Sequence, residues 1–176
     1  MITFISGGAR SGKSRLAEEL AVSKLLVDKE PFYIATAKIT DDEMKKRIQI
    51  HQQGRNEHWK TFEEPYFILS TLLKARSGDV VLLDCLTVWL SNMIFDLQEP
   101  IDRLVNKVSE WMKVAKEKQL QLIIVSNDVN EGLPHADPLV YQYVLLLESL
   151  HQFIVREADQ AIQVVAGCPV YWKGEK

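Results

Sequence analysis

Apolar and polar positions divide the chain into short, uniformly apolar runs and longer amphipathic ones. Ile2-Thr3-Phe4-Ile5-Ser6 is apolar and β-prone and reads as a buried strand. Arg15 to Ala21 is a good helix former with Leu16 and Leu20 four apart. Lys29-Glu30-Pro31 is a break, after which Phe32-Tyr33-Ile34-Ala35 reads as a second strand ending at Thr36-Ala37. Thr40-Asp41-Asp42-Glu43 has the form of a helix start, with Thr40 as N-cap, Glu43 three residues on and acids in the first turn. That helix carries Met44, Arg47, Ile48 and His51 and stops near Gly54, a plausible C′ residue.

Trp59-Lys60-Thr61-Phe62 is a short extended piece, and Pro65 opens a helix through Leu69, Leu72 and Leu73 that closes at Ser77-Gly78. Val80-Val81-Leu82-Leu83-Asp84 is uniformly apolar up to its last residue, as a strand covered on both faces should be. Leu86 to Leu97 reads as helical, and a long amphipathic helix follows from about Pro100 to Lys118. Leu120 to Ser126 is the next strand, Asn127 to Pro138 a loop rich in Asn, Asp, Gly and Pro, and Leu139 to about Ala158 a helix. Ala161 to Ala166 and Val170-Tyr171-Trp172 are closing strands separated by Gly167-Cys168-Pro169. Strands alternating with helices predict an α/β fold: a mostly parallel sheet with helices on both faces, in three layers. No linker, repeat or low-complexity tract interrupts the chain, so residues 1–176 are expected to form a single domain.

Composition changes this picture little. Hydrophobic residues make up 47% and charged residues 26%, ordinary for a soluble globular protein. The formal net charge of −3 argues against a nucleic-acid-binding surface, and the short basic run Lys45-Lys46-Arg47 reads as a solvated helix face. The two cysteines, Cys85 and Cys168, form no C-x-x-C pair, which points to reduced thiols. No apolar run reaches the roughly 18 residues of a membrane span. With no signal peptide ahead of the first strand, a cytoplasmic protein is expected.

Chemistry enters at Gly7-Gly8-Ala9-Arg10-Ser11-Gly12-Lys13-Ser14, which fits G-x-x-x-x-G-K-[ST] at every fixed position. It joins a strand to a helix N-terminus, the context that makes the pattern a phosphate site. Glycines let successive backbone N–H groups turn toward one anion, and the helix dipole adds positive potential. Lys13 would reach the β- and γ-phosphates, and the Ser14 hydroxyl would ligate Mg²⁺. Asp84, at the carboxyl end of an apolar strand, is the candidate acid for organising that Mg²⁺. It is equally compatible with capping the following helix. Asn127-Asp128, at the end of another strand, either faces the site or caps its loop.

Of the four histidines, His51, His58, His135 and His151, the first is best placed for chemistry. It shares a helix face with Arg47, and Arg55 follows it; a neutral imidazole is a competent nucleophile at phosphorus near neutral pH. From spacing alone, a lone histidine near a helix end is more often a surface residue or a partner of the helix C-terminal dipole.

The loop from Phe4 to Arg15, Tyr33-Ile34-Ala35-Thr36-Ala37, and the block Asp41-Asp42-Glu43-Met44, Arg47-Ile48, His51, Arg55, His58-Trp59 resemble the bifunctional adenosylcobinamide kinase / adenosylcobinamide-phosphate guanylyltransferases of cobalamin biosynthesis. Thr61, Glu63 and Val81 to Thr87 fit the continuation, with Asp84 where the family usually carries glutamate. The resemblance implies a P-loop NTPase fold of the RecA-like kind. It also implies a covalent guanylyl-enzyme on His51, with nucleotide contacts at Gly7 to Ser14, Ala35, Thr36, Ala37, Gln52, Gln53, Gly54, Arg55, Glu63 and Asp84. The substrates it implies are GTP, ATP or GTP for the kinase step, and a corrinoid; Mg²⁺ is the metal, and a homo-oligomer, with a trimer as one form, the assembly.

The last third departs from that pattern. Asn127-Asp128-Val129-Asn130 stands where the family reads Asn-Glu-Val-Gly. Val140, Tyr143-Val144, Leu147 and Leu150-His151 stand where it carries arginine, Arg-Asp, glycine and Asn-Gln. This greasy helix reads as buried or subunit-facing. Beside full bifunctionality, two alternatives follow: retention of one activity only, or a GTP-binding regulatory or scaffold protein.

Overall fold

Parallel pairing of the apolar runs builds the molecule. The computed structural model describes residues 1–27, 29–38, 59–129 and 137–175. Among them, in chain order, are β1 (Ile2–Gly7), α1 (Lys13–Ser23), β2 (Phe32–Ala35), β3 (Lys60–Glu63), α2 (Ile68–Lys74) and β4 (Val80–Asp84). Then follow α3 (Leu86–Phe95), α4 (Ile101–Glu117), β5 (Gln121–Val125), α5 (Pro138–Glu157), β6 (Gln160–Val165) and β7 (Cys168–Lys173). The helix expected from Thr40 to Gly54 lies outside the described residues.

The seven described strands form one sheet in the order β3-β2-β4-β5-β1-β6-β7. Every pairing is parallel except the β6–β7 hairpin. β7 is an edge strand, where Pro169 is tolerated because its missing N–H can face solvent. Strand side chains alternate between the two faces. Ile2, Phe4, Ile34, Val81, Leu83, Leu122 and Ile124 pack beneath α2, α3, α4 and α5. Ile5, Tyr33, Val80, Leu82, Ile123 and Val125 pack against α1 on the other face. The predicted three layers are therefore present. Small Ala17 and Ala21, both fully buried, turn α1 toward the sheet.

α4 shows how its pattern becomes packing. Leu104, Val108, Trp111, Met112 and Ala115 recur at helical spacing and are all buried. Trp111 meets Trp89 edge-on at 4.4 Å between ring centres, and the Trp89 indole N–H donates to the Tyr66 carbonyl at 2.9 Å. Two boundaries differ from the sequence reading: β7 takes in Cys168 and Pro169, which pair with Val165 and Val164, and α2 begins at Ile68, not at Pro65. The Glu64 carboxylate accepts the N–H groups of Tyr66 and Phe67, holding residues 64–67 as a turn before the helix.

Parallel register gathers the strand ends. Ala35 pairs with both Glu63 and Asp84, Asp84 pairs with Val125, and Val125 pairs with Ile5, two residues before Gly7. One edge of the sheet thus carries the carboxyl ends of β3, β2, β4, β5 and β1 together.

Candidate active site

At that edge the chain leaves β1 through Gly7. A Cβ there would lie 2.6 Å from both the Val164 carbonyl and Ser11 Oγ, so only glycine fits the close approach of β6. Gly12, at φ +92, serves as N-cap of α1 without any side-chain hydrogen bond. The first N–H groups of a helix have no intrahelical acceptors, so α1 directs partial positive charge into the loop. The Ser11 amide donates to the Gly8 carbonyl at 3.2 Å, closing the loop on itself.

Two side chains give the loop its polarity. Lys13 is only 8% exposed and reaches back to donate to the Gly8 carbonyl at 3.0 Å, among the described residues a single neutral partner for a nearly buried lysine. Ser11 Oγ is buried and, among the described residues, has no hydrogen-bond partner. Such an orphan hydroxyl costs about 1–3 kcal/mol unless something satisfies it. A cation and an unsatisfied donor at a helix N-terminus together suit an anion such as a phosphate.

Asp84 ends β4, half-buried, and accepts the Tyr33 hydroxyl at 2.8 Å. It does not cap α3: the N-cap is Cys85, with no side-chain cap bond. The helix-capping alternative for Asp84 therefore falls away, and its carboxylate is held at the sheet edge instead. β5 lies between β4 and β1, so Asp84 and the phosphate loop stand two strand spacings apart, roughly 10 Å. Thr36 ties β2 to this edge. Its amide donates to the Asp84 carbonyl at 3.0 Å, and its hydroxyl both accepts the Cys85 N–H at 2.8 Å and donates to the Cys85 carbonyl at 2.9 Å. Burial, with the Asp84 charge beside it, pushes the Cys85 thiol up to about 12, so it is no nucleophile.

The segment after β5 fills the gap between loop and acid. The Asp128 amide donates to the Gly7 carbonyl at 3.1 Å, and its carboxylate accepts Gln163 Nε2 at 3.0 Å. The Asn127 amide donates to Thr87 Oγ1 at 2.8 Å. Thr87 Oγ1 lies 3.0 Å from Ser126 Oγ, which lies 2.7 Å from His151 Nε2. Asn127-Asp128 is thus integrated into the site rather than merely capping a loop.

The structure brings Gly7, Gly8, Ala9, Arg10, Ser11, Gly12, Lys13, Ser14, Ala35, Thr36, Ala37 and Asp84 to one region of this edge. Glu63 lies at the far end of the same row of strand ends, exposed. His51, Gln52, Gln53, Gly54 and Arg55 lie outside the described residues. Sequence reading missed two elements. One is the β6–β7 turn, whose Gly167 amide donates to the Ser11 carbonyl at 2.9 Å. The other is His151, whose spacing from Leu147, Leu150 and Ile154 places it on the buried face of α5, a signal available in the sequence.

A family model described as cobinamide kinase / cobinamide phosphate guanyltransferase matches residues 3–171. The chain belongs to this family. It is 40% identical over 176 residues to the bifunctional adenosylcobalamin biosynthesis protein CobP of Pseudomonas aeruginosa, covering 99% of each chain. It is 32% identical to the bifunctional adenosylcobalamin biosynthesis protein CobU of Escherichia coli, covering 97% of this chain and 98% of the relative. The corresponding CobU of Salmonella typhimurium is also 32% identical. Among solved structures, the flagellar accessory protein FlaH of Methanocaldococcus jannaschii superposes with a TM-score of 0.55 at 17% identity, over 99% of this chain and 78% of that one. At that identity the likeness concerns the fold alone.

Proposed function

We propose that this protein phosphorylates the free hydroxyl of adenosylcobinamide and then transfers GMP from GTP to the phosphate so formed, giving adenosylcobinamide-GDP. The observation that carries this reading is a complete phosphate loop, with Lys13 and the Ser11 hydroxyl converging on it, in a chain that matches the family from residue 3 to 171.

In the kinase step the corrinoid hydroxyl oxygen attacks the γ-phosphorus of ATP or GTP. A P–O bond forms, the hydroxyl proton is lost, and the nucleoside diphosphate leaves. In the second reaction an imidazole nitrogen of His51 attacks the α-phosphorus of GTP; an N–P bond forms and pyrophosphate departs. An oxygen of adenosylcobinamide phosphate then attacks the same phosphorus, and the N–P bond breaks, freeing His51. Both reactions rest on positioning and charge neutralisation, the work assigned to Lys13 and the loop amides. Ala35, Thr36, Ala37, Gln52 to Arg55 and Glu63 are the remaining nucleotide contacts in this reading.

A hydroxyl from Ser14 and a carboxylate from Asp84 form a hard oxygen donor set. With phosphate oxygens and water completing the shell, it suits Mg²⁺. Bound there, Mg²⁺ would neutralise charge on the phosphates. Asp84 is already fixed in orientation by Tyr33. In this reading the enzyme is cytoplasmic, homo-oligomeric and built as one domain over residues 1–176; no helix among the described residues is long and apolar enough to cross a membrane.

The test is the intact-protein mass after incubation with GTP and Mg²⁺. Wild type should gain one acid-labile GMP, and His51→Ala should gain none. Absence of the adduct while GTP binds would sink the guanylyltransferase half. Absence of phosphorylated adenosylcobinamide with a nucleoside triphosphate would sink the kinase half.

A further inference from the structure

A cavity of about 450 Å³ opens where the carboxyl end of α3, the start of α4 and the start of α5 meet. That volume lies within the range of small-molecule sites. Its position in the fold is informative. α4 ends where the chain turns into the amino end of β5, so its start lies toward the opposite, carboxyl edge of the sheet. α5 begins in the connection after the carboxyl end of β5. α3 stays at the same edge: Asn92 Nδ2 donates to the Thr36 carbonyl at 2.9 Å, just past the end of β2. The cavity and the phosphate loop therefore share one edge of the sheet.

We infer that this cavity seats part of the corrinoid acceptor, an inference that rests on the function proposed above. Phe95, Ile101 and Leu139 give it apolar walls, and each is about half exposed, at 46%, 51% and 50%. Gln98 and Gln142 place carboxamides among them; among the described residues Glu99, paired with Lys107 at 3.5 Å, is the one charged residue lining it. That lining is apolar and carboxamide-bearing rather than cationic. It suits the rim of a corrin ring, where methyl groups alternate with side chains ending in primary amides, each able to exchange a donor and an acceptor with a glutamine. Tyr143 connects the cavity to the transfer site. It lines the cavity, and its hydroxyl donates to the Thr87 carbonyl at 2.9 Å, while Thr87 Oγ1 accepts the Asn127 amide beside the loop. A ring edge held here leaves the acceptor's hydroxyl arm to extend along the sheet edge toward the nucleotide.

The test is equilibrium binding of adenosylcobinamide to the full chain, in wild type, Leu139→Arg and Ile101→Arg, with circular dichroism as fold control and GTP affinity measured in parallel. Both sites are exposed and on different helices, so either variant alone keeps the question answerable. The expected result is at least tenfold weaker corrinoid binding in each, with GTP affinity within twofold of wild type. Unchanged corrinoid affinity in both variants, with a wild type that binds and turns over the corrinoid, would overturn this inference and leave the proposed function standing. So would a change of oligomeric state in the variants, read by sedimentation, with corrinoid affinity intact; the face would then be a subunit contact. A wild type that binds no corrinoid would overturn both.

Discussion

His151 Nε2 lies 2.7 Å from the hydroxyl of Ser126, the first residue beyond β5, and its ring packs 5.0 Å from that of Phe4 on β1. This one contact joins the middle of α5 to the two central strands beside the phosphate loop. Through Ser126 and Thr87 it reaches the Asn127 amide, so α5 braces the segment that lies beside the phosphate loop.

Burial pushes the His151 imidazole down to about 4, the Asp128 carboxylate offsetting only part of the shift. An unfolded histidine titrates near 6.5, so between these values the unfolded chain binds the extra proton. Stability should therefore rise with pH from about 4 to about 6.5 and be level above, with a contribution on the order of 2–3 kcal/mol. Urea midpoints at pH 4.5 and pH 7 measure it. His151→Gln, which keeps a hydrogen-bonding group for Ser126, should lose less stability on acidification than wild type. Parallel losses in the two proteins would show that His151 is not the group responsible.

How much of this was legible in the sequence depended on whether local signals were enough. β1, β4 and β5 are predominantly apolar, and the phosphate loop between β1 and α1 is a contiguous pattern; all could be read directly. Asp84 was readable as a site residue because it interrupts an apolar run at its end. Its partner Tyr33 was not, because their contact spans 51 positions and depends on β2 pairing with β4. The β6–β7 turn could be read as a turn, but that its Gly167 amide docks on Ser11 is a tertiary fact. Residues 64–67 misled in another way: Pro65 looks like a first-turn proline, yet Glu64 organises a separate turn ahead of α2.

Lys13→Ala should lower both the kinase rate and GMP transfer to the enzyme by at least ~100-fold, the scale of removing one group that stabilises transition-state charge. Because Lys13, among the described residues, donates only to the Gly8 carbonyl, the fold should survive. Single-turnover rates at saturating GTP give the comparison. A loss confined to KM would assign the lysine to ground-state binding instead.

Asp84→Asn keeps the shape of the side chain and removes its charge. The Mg²⁺ concentration for half-maximal GMP transfer should rise by at least about tenfold. Tyr33→Phe, which deletes the donor at 2.8 Å and leaves the carboxylate, should move the same midpoint in the same direction by roughly tenfold or less. Unshifted Mg²⁺ titrations in both variants would remove Asp84 from the metal site.

The turn between β6 and β7 offers a test of whether the hairpin shapes the loop. Gly167 sits at φ +83 with open space where a Cβ would go, so Gly167→Ala is strained only through its backbone, by roughly 1 kcal/mol. Gly78, in the turn between α2 and β4, has nearly the same angle, φ +77, and a Cβ there would meet only ordinary van der Waals contacts. Gly78→Ala is thus a control of matched strain at the opposite edge of the sheet. Both variants should lose a similar amount of stability in urea. Only Gly167→Ala should also weaken GTP binding, by about threefold to tenfold, because relief of its strain shifts the amide that holds the Ser11 carbonyl. Equal GTP affinity in the two would mean that the loop holds its shape without the hairpin.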